Sequence, residues 1–453
     1  MPETSEVKYS IRNLRYTIAQ LILVVIMMLL ATKILGLVCY NMVPGVNTLL
    51  LNAAGATPVE IALILTTIPQ AIGFFLTPLI STCSDKTRTR YGRRKPYLLW
   101  SAPALVLVLL GVAWSPDIAE LITRLIPAAA SPRMTFYVLA FFLLAFSIVW
   151  LFPGSVVYYL VADVIPRNFI GRFQSISTIA TMGLTFAFNF FILKYTVEYT
   201  KTTFCILCGL YLLVYILIFF LVDEGEYPPV EDKVDKNGNA LKKSAEYIWM
   251  FFRQCFQYKI FIFLFLASGL NSASNICRGM FNVLFATEDI GMSVETYGKI
   301  MGIGALISAV AIYFIGKLMD KTHPLVVFGG GGLFIMFINV FSYFFIHTPA
   351  TFMVIGVATQ IMYAFQALAG TPLQINIVPA DKYGQFSSAN SLVNAVVLIA
   401  GSWAGGWLTQ RFGYRVMFIW DFIITGIAMI FLYLVYLEWK RFGGRNYVAP
   451  QVK

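Results

Sequence analysis

Apolar residues in this chain come in long runs of about twenty residues, separated by short polar loops. Twelve runs stand out, over 16–43, 58–82, 97–114, 135–163, 170–194, 203–222, 259–286, 297–317, 325–346, 351–377, 386–409 and 415–438. Each is long enough for a helix to cross a hydrocarbon layer about 30 Å thick. The pattern predicts an all-α membrane protein of twelve transmembrane helices. The first run is too long for the apolar core of a signal peptide and lacks a small-residue cleavage site, so it counts as a span. The polar stretch E-G-E-Y-P-P-V-E-D-K-V-D-K-N-G-N-A-L-K-K (224–243) divides the runs six and six. The expected organisation is a six-helix bundle over 1–222, a linker over 223–258 and a second six-helix bundle over 259–453. Residues 245–259 mix aromatics with bases and read as an interfacial helix entering the second half.

The two halves echo one another. Asp85-Lys86-Thr87 returns 235 residues later as Asp320-Lys321-Thr322, and the same offset carries Glu60 onto Glu295. V-I-P at Val164 to Pro166, followed by Gly171, Phe173 and Ser175, matches I-V-P at Ile377 to Pro379, followed by Gly384, Phe386 and Ser388, at an offset of 213. The first half therefore carries about twenty extra residues, which fit T-R-Y-G-R-R-K (89–95) and a hairpin over 115–133. Two pseudo-symmetric halves repeated in order within an apolar chain point to an alternating-access carrier.

Composition agrees: the chain is 59% hydrophobic and 12% charged, against roughly 25% charged for a soluble domain. The net charge is +11, and its distribution is topological. With the N-terminus cytoplasmic, the inner side collects Lys8, Arg12 and Arg15, the bases from Lys86 to Lys95, Arg167 and Arg172, the 223–258 connector, Lys317, Lys321, Lys382 and the Lys440–Arg445 tail. The outer loops keep Arg124, Arg133, Lys194, Lys201, Arg411 and Arg415. Bases scattered over short loops are no nucleic-acid footprint. Cys205 and Cys208 have C-x-x-C spacing inside an apolar helix, where a metal or redox role is not expected. Gly329–Gly332 lack the Lys-Ser/Thr of a phosphate loop and open a span, which suits close helix packing. No metal and no cofactor are expected.

The block S-D-K-T-R-T-R-Y-G-R-R-K-P-Y (84–97) is the most specific local signal. A carboxylate at a helix end faces a loop dense in guanidinium groups, which can form bidentate pairs and bind helix termini. Gly92 allows a tight turn and Pro96 suits the first turn of the next helix. Asp85, Lys86, Arg88, Arg90, Gly92, Arg93 and Arg94, with Asp320 and Lys321 in the degenerate second copy, are the candidate gating residues. This block resembles the loop between the second and third helices of the major facilitator superfamily. Its form is similar to that of the glycoside–pentoside–hexuronide:cation symporters and, more loosely, of sucrose transporters. The resemblance implies a solute symporter. It supplies neither a sodium site nor a sugar carboxylate: melibiose-type permeases carry two cation-site aspartates where this chain has Gly73 and Thr77, and a sugar-binding aspartate near the position of Gly154.

The resemblance also implies that the first, fourth, seventh and tenth helices face a central cavity. Their polar residues are the candidate solute ligands: Lys33, Tyr40 and Asn41; Trp150, Tyr158 and Tyr159; Asn271, Asn275 and Arg278; Gln360, Tyr363 and Gln366. Asn390 and Asn394 on the eleventh helix are four apart and share a face. Amides donate and accept, and ring faces cover C–H surfaces, so this set suits a hydroxyl-rich ligand, although the same groups can simply bridge helices. A base deep in a span costs about 2.5–3.5 kcal/mol, so Lys33 and Arg278 are functional candidates. Arg278 is expected to snorkel outward or to pair with Glu60, Glu288 or Asp289, and Lys33 has no evident mid-depth carboxylate. Asp163 and Asp421 are candidate proton carriers. Two deep bases without an evident counter-charge favour an acidic solute.

The reading is an importer of a glycoside or uronide by alternating access, coupled to a proton and monomeric in the bilayer. It is expected in the plasma membrane, as in a bacterial inner membrane, with both termini cytoplasmic. A carrier of a non-sugar organic solute, or a non-transporting sensor on the same fold, would keep the gate motif and change the cavity. A membrane-bound transferase is disfavoured, because no paired carboxylate or metal motif lies at a helix mouth.

Overall fold

The computed structural model describes residues 9–11, 13–37, 45–166, 169–225, 249–379 and 382–450. Tyr40, Asn41 and most of the expected linker (226–248) lie outside the described residues, as do the side chains of Asp85, Lys86 and Asp320. Among the described residues, twelve helices are long and apolar enough to cross a membrane. In order they are Ile18–Gly36, Pro58–Ser81, Lys95–Ala113, Met134–Val164, Arg172–Glu198, Thr200–Leu221, Lys259–Asp289, Val294–Met319, Pro324–Phe345, Pro349–Ile377, Tyr383–Phe412 and Val416–Arg441. Each overlaps one predicted run. A short antiparallel hairpin, Tyr9–Ile11 with Leu14–Tyr16, precedes the first span. Large apolar side chains such as Phe75, Leu107, Phe141, Ile179 and Phe220 stand exposed in the first half, as do Phe314, Phe337, Val354 and Ile430 in the second. In water such a surface would be costly; in lipid it is the solvated one.

The chain divides into two compact units, Met1–Val230 and Glu231–Lys453. Within the first, span one packs on spans five and six, span three on four and six, and span two on four. Within the second, span seven packs on eleven and twelve, nine on ten and twelve, and eight on ten. Adding six to each rank converts one set of pairings into the other, so the sequence echo is an architectural repeat.

The echo of Glu60 in Glu295 marks a shared helix start. The Thr57 N–H donates to Glu60 Oε2 at 2.8 Å, and the Glu60 N–H donates to Thr57 Oγ1 at 3.3 Å, closing a capping box before the second span. Ser293 caps the eighth span by accepting from the Thr296 N–H, with Glu295 in the first turn, one position nearer its cap than Glu60 is to Thr57.

Two expectations change. The surplus at 115–133 is a helix, Ser115–Leu125, followed by a single 3-10 turn at Pro127–Ala129, and not a hairpin. Pro116 and Asp117 suit a first helical turn, and Ile118 and Ile122 then share one face. Helix starts and tight turns draw on the same residues, which is why the segment reads as a turn in sequence. The expected interfacial helix at 245–259 is helical over 249–255 among the described residues. Its Gln254 accepts from Gln385 of the eleventh span at 3.0 Å.

The glycine run behaves as expected. A Cβ at Gly331 would stand 3.0 Å from the Cβ of Phe365, and one at Gly329 would stand 3.3 Å from Leu432, so the ninth span lies tight against the tenth and twelfth. Cys205 and Cys208 are free thiols.

Candidate functional site

In the first unit, the basic loop is organised by two carboxylates. Glu224, 1% exposed, lies just after the sixth span. Its carboxylate accepts from the backbone N–H of Arg93 at 2.8 Å, of Arg94 at 3.0 Å and of Lys95 at 2.5 Å. Those are the orphan donors at the start of the third span, and the charge complements the helix dipole there. Gly92 turns the chain with φ of 107°. Asp163, near the end of the fourth span, accepts from Arg93 at 3.0 and 2.9 Å and from Arg94 Nε at 3.3 Å. Arg94 also donates to Ser84 Oγ at 2.5 Å and lies 4.9 Å over the ring of Tyr159. The second, third, fourth and sixth spans are thus tied together at one end.

This gives Asp163 and Tyr159 places that differ from the expected ones. Asp163 is bound by two guanidinium groups and is not a solitary carboxylate, and Tyr159 lies beneath Arg94. Arg88 donates to its neighbour's carbonyl, Thr87 O, at 2.8 Å, and Arg90 meets the hydroxyl of Tyr91. Lys321 lies in the last turn of its helix. Glu224 was missed because it sits in an acidic stretch that reads as linker.

Lys33 donates to Thr181 Oγ1 of the fifth span at 2.6 Å, and among the described residues no carboxylate pairs with it. Trp150 stacks on Phe146 of its own helix, with 6.3 Å between ring centres, and covers Gly154. Tyr158 is exposed.

In the second unit, Arg278 contradicts its expected pairing. Its Nε donates to Asp421 Oδ2 at 3.3 Å and its Nη2 to Asn339 Oδ1 at 2.6 Å. The Tyr363 hydroxyl donates to the same Asp421 oxygen. Asp421 is fully buried and its Oδ1 has no partner. Glu60, the expected partner, is held by Arg133 at 2.6 Å within the first unit. By apolar count the seventh span reads as one straight helix, whereas it breaks at Asn275 between Lys259–Ser274 and Ile276–Leu284 and then takes a π turn at Phe285–Asp289. Arg278 lies three residues beyond the break, and Asp421 of the twelfth span compensates its charge. Of the two bases, Arg278 has a carboxylate partner, whereas Lys33, in the last turn of the helix Ile18–Gly36, has a hydroxyl one.

Beside this cluster, spans seven, nine, ten and eleven line a half-open cavity of about 240 Å³. Asn271, Gln366, Gln374 and Asn390 line it with Ser268, Ser272 and Thr371, over a floor that includes Leu264, Phe328 and Leu373. Among the described residues, no ionisable side chain lines it. Asn271 Oδ1, Asn390 Oδ1, Gln374 Nε2 and both amide atoms of Gln366 are buried without a partner. Natural proteins rarely leave so many buried polar atoms unsatisfied, and a functional site is one reason they do. Of the expected ligands, Asn271, Gln366 and Asn390 meet here. Asn394 Oδ1, one turn further, is likewise unpartnered. Gln360 points elsewhere, toward Met301 Sδ at 3.4 Å, and Asn275 is exposed at the helix break. Gln374 was overlooked, although it lies eight residues after Gln366 and so on the same helix face.

The chain matches the model of the Major Facilitator Superfamily over residues 21–348 and 264–446. It belongs to that superfamily and is a transporter of its twelve-helix class. No curated protein matches it closely. Among solved structures it resembles a bacterial homologue of the human lysosomal transporter Spinster, inward-facing and occupied, with TM-score 0.67, 13% identity and coverage of 96% of this chain and 98% of that one. It also resembles the nucleoside transporter NupG, with TM-score 0.63, 13% identity and coverage of 93% and 98%. A D-xylose–proton symporter is similar too, with TM-score 0.62, 14% identity and coverage of 91% and 96%. At these identities the likeness concerns the fold.

Proposed function

We propose that this chain is a secondary transporter importing a hydroxyl-rich solute, a glycoside or uronide, by alternating access with a proton as the coupling ion. The observation that carries the reading is the set of unpartnered amide atoms around the 240 Å³ cavity. Buried amides cost stability unless something bonds them. A solute whose hydroxyls donate and accept would bond the amide groups on the cavity wall, and would reach the buried atoms as those side chains turn, without demanding a charge. The 84–97 block supports membership in the glycoside–pentoside–hexuronide group, with the basic loop cytoplasmic and the protein in a plasma membrane.

The proton follows from what lies where. Gly73 and Thr77 offer no carboxylate for sodium, whereas Asp421 is buried, shares Oδ2 with Arg278 and Tyr363, and leaves Oδ1 unpartnered. A carboxylate between a cation and a phenol can exchange a proton while its neighbours hold it in place. The clamp of Glu224, Asp163, Arg93 and Arg94 ties spans of the first unit together at one end, and on this reading that end is cytoplasmic and acts in gating.

A second reading has an observation of its own. Among the cavity's described walls Phe328 is the sole aromatic side chain, and sugar sites commonly add ring faces. A non-sugar solute rich in amides or hydroxyls, of the size of a nucleoside, fits the same walls. Uptake into proteoliposomes, across glucosides, glucuronides and nucleosides, with and without pH and sodium gradients, tests the proposal. Uptake of glycosides driven by a proton gradient is expected. Uptake of nucleosides alone would transfer the site to the second reading, and binding without counterflow would make the chain a sensor.

A further inference from the structure

The helix Ser115–Leu125 is an addition to the repeat. At the matching place in the second unit, Ile346, His347 and Thr348 alone join the ninth span to the tenth. Its two sides differ in chemistry. Asp117, Glu120 and Arg124 fall on one side, and Ile118, Leu121, Ile122 and Leu125 fall on the other. Leu121 and Leu125 are exposed, as is Ile126 beyond them. A helix of this kind, set between two membrane spans, lies naturally along the interface with its apolar side in the bilayer.

Ile118 and Ile122 are only half buried. With Tyr137, Val138, Phe141 and Phe142 of the fourth span they line a cleft of about 280 Å³. Water inside it would find almost no hydrogen-bond partner. Tyr137 and Phe141 are 53% and 67% exposed, so the cleft runs out onto the apolar surface of the fourth span, where lipid is the solvent. The charges around it are already matched. Asp117 pairs with Lys201 at 2.7 Å, Glu120 with Arg124 at 2.5 Å and Glu60 with Arg133 at 2.6 Å. A neighbourhood of closed ion pairs presents no excess positive charge to attract an anionic headgroup.

We propose that this cleft holds an acyl chain of a zwitterionic phospholipid, at the end of the unit opposite the basic loop. The inserted helix is the device that retains it. The floor is carbon, the open side faces the bilayer, and the paired charges leave the headgroup unselected for negative charge.

The test uses the full chain in phosphatidylcholine nanodiscs doped with phosphatidylcholine carrying a mid-chain diazirine. After irradiation, adducts are mapped by mass spectrometry. Adducts on Ile118, Tyr137 and Phe141 should exceed those on Met353 and Val354, exposed residues at the matching place in the second unit, by roughly fivefold. Ile122→Trp fills the cleft and should remove that excess while labelling elsewhere is unchanged. If this variant fails to fold, native mass spectrometry of the unaltered chain reads the same site: one phosphatidylcholine should be retained after detergent strips the others, and its loss along with the rest would overturn the proposal. Equal labelling at both places, or an excess that Ile122→Trp leaves intact, would overturn the proposal as ordinary boundary lipid. A strong preference for an anionic diazirine lipid would overturn the headgroup assignment. Cross-links between two copies through the cleft would overturn the lipid itself.

Discussion

The carboxylate of Glu224 fills the space that a side chain at Gly92 would need, with a Cβ there falling 2.6 Å from the carboxyl carbon. The residues are 132 apart in sequence. They meet because the loop must present three backbone N–H groups to one anion, and a residue with φ of 107° makes that turn. Gly92→Ala would suffer both a strained backbone and expulsion of the carboxylate, at roughly 1–2 kcal/mol for the conformation alone. Transport should fall by about tenfold or more while solute affinity in the purified protein is kept. An affinity loss as large as the transport loss would show that this loop does not act as a gate.

Asp163 holds two guanidinium groups, with side-chain exposures of 17% for Arg93 and 5% for Arg94. Removing its charge takes a carboxylate away from two largely buried guanidinium groups, and breaking a buried ion pair typically costs about 3–5 kcal/mol. Asp163→Asn should therefore lower the melting temperature of the detergent-solubilised protein markedly. Arg88→Gln, on an exposed side chain, should change it little. A neutral Asp163→Asn result would remove the ion pair from the clamp.

How much of this was legible beforehand can be seen in particular residues. The spans were readable because twenty apolar residues leave the chain few alternatives to a membrane helix. The Glu60 and Glu295 echo was readable because acidic residues suit the first turn of a helix, a local preference. Arg278 and Asp421 lie 143 residues apart, and Arg278 follows a helix break at Asn275 that no apolar count registers. Glu224 belongs to a charged stretch whose solvated appearance hides a buried carboxylate. The amide cavity was half legible: Asn271, Gln366 and Asn390 were named, but nothing in a single sequence says that Gln360 turns toward Met301 instead.

Gln366 offers a test that separates binding from structure. Its two amide atoms have no protein partner and the residue is 3% exposed, so Gln366→Leu removes an unsatisfied group and breaks no bond. Stability should hold or rise, by about 1 kcal/mol, since an unsatisfied buried amide costs roughly 1–3 kcal/mol. Solute affinity should drop about tenfold, the loss of one or two hydrogen bonds. Retained affinity in a stable variant would place the solute elsewhere.

Asp421→Asn matches the carboxylate in shape and removes the site of proton exchange. It also takes the charge partner from Arg278, so the variant's melting temperature is measured first. Uphill uptake driven by an imposed pH gradient should vanish, while counterflow under equal concentrations persists. Sodium gradients should add nothing in either protein. Undiminished proton-driven accumulation by the variant would free Asp421 of the coupling role.

Lys33 offers a test of the charge of the solute. Arg278 is balanced by Asp421, so it offers no surplus to an anion, whereas Lys33 has a hydroxyl partner, Thr181, and no carboxylate among the described residues. An unbalanced cation in a span gains more from an acidic ligand than from a neutral one. The native protein should then favour a glucuronide over its matched glucoside by about tenfold, a difference of roughly 1.4 kcal/mol. Lys33→Gln should erase that preference by weakening the glucuronide and sparing the glucoside. Arg278→Gln should instead weaken both together, because it strands Asp421. The measurement is competition against a labelled ligand in both variants. Equal affinity for the two ligands in the native protein, unchanged in Lys33→Gln, would leave a neutral glycoside as the solute and Lys33 as a helix bridge to Thr181.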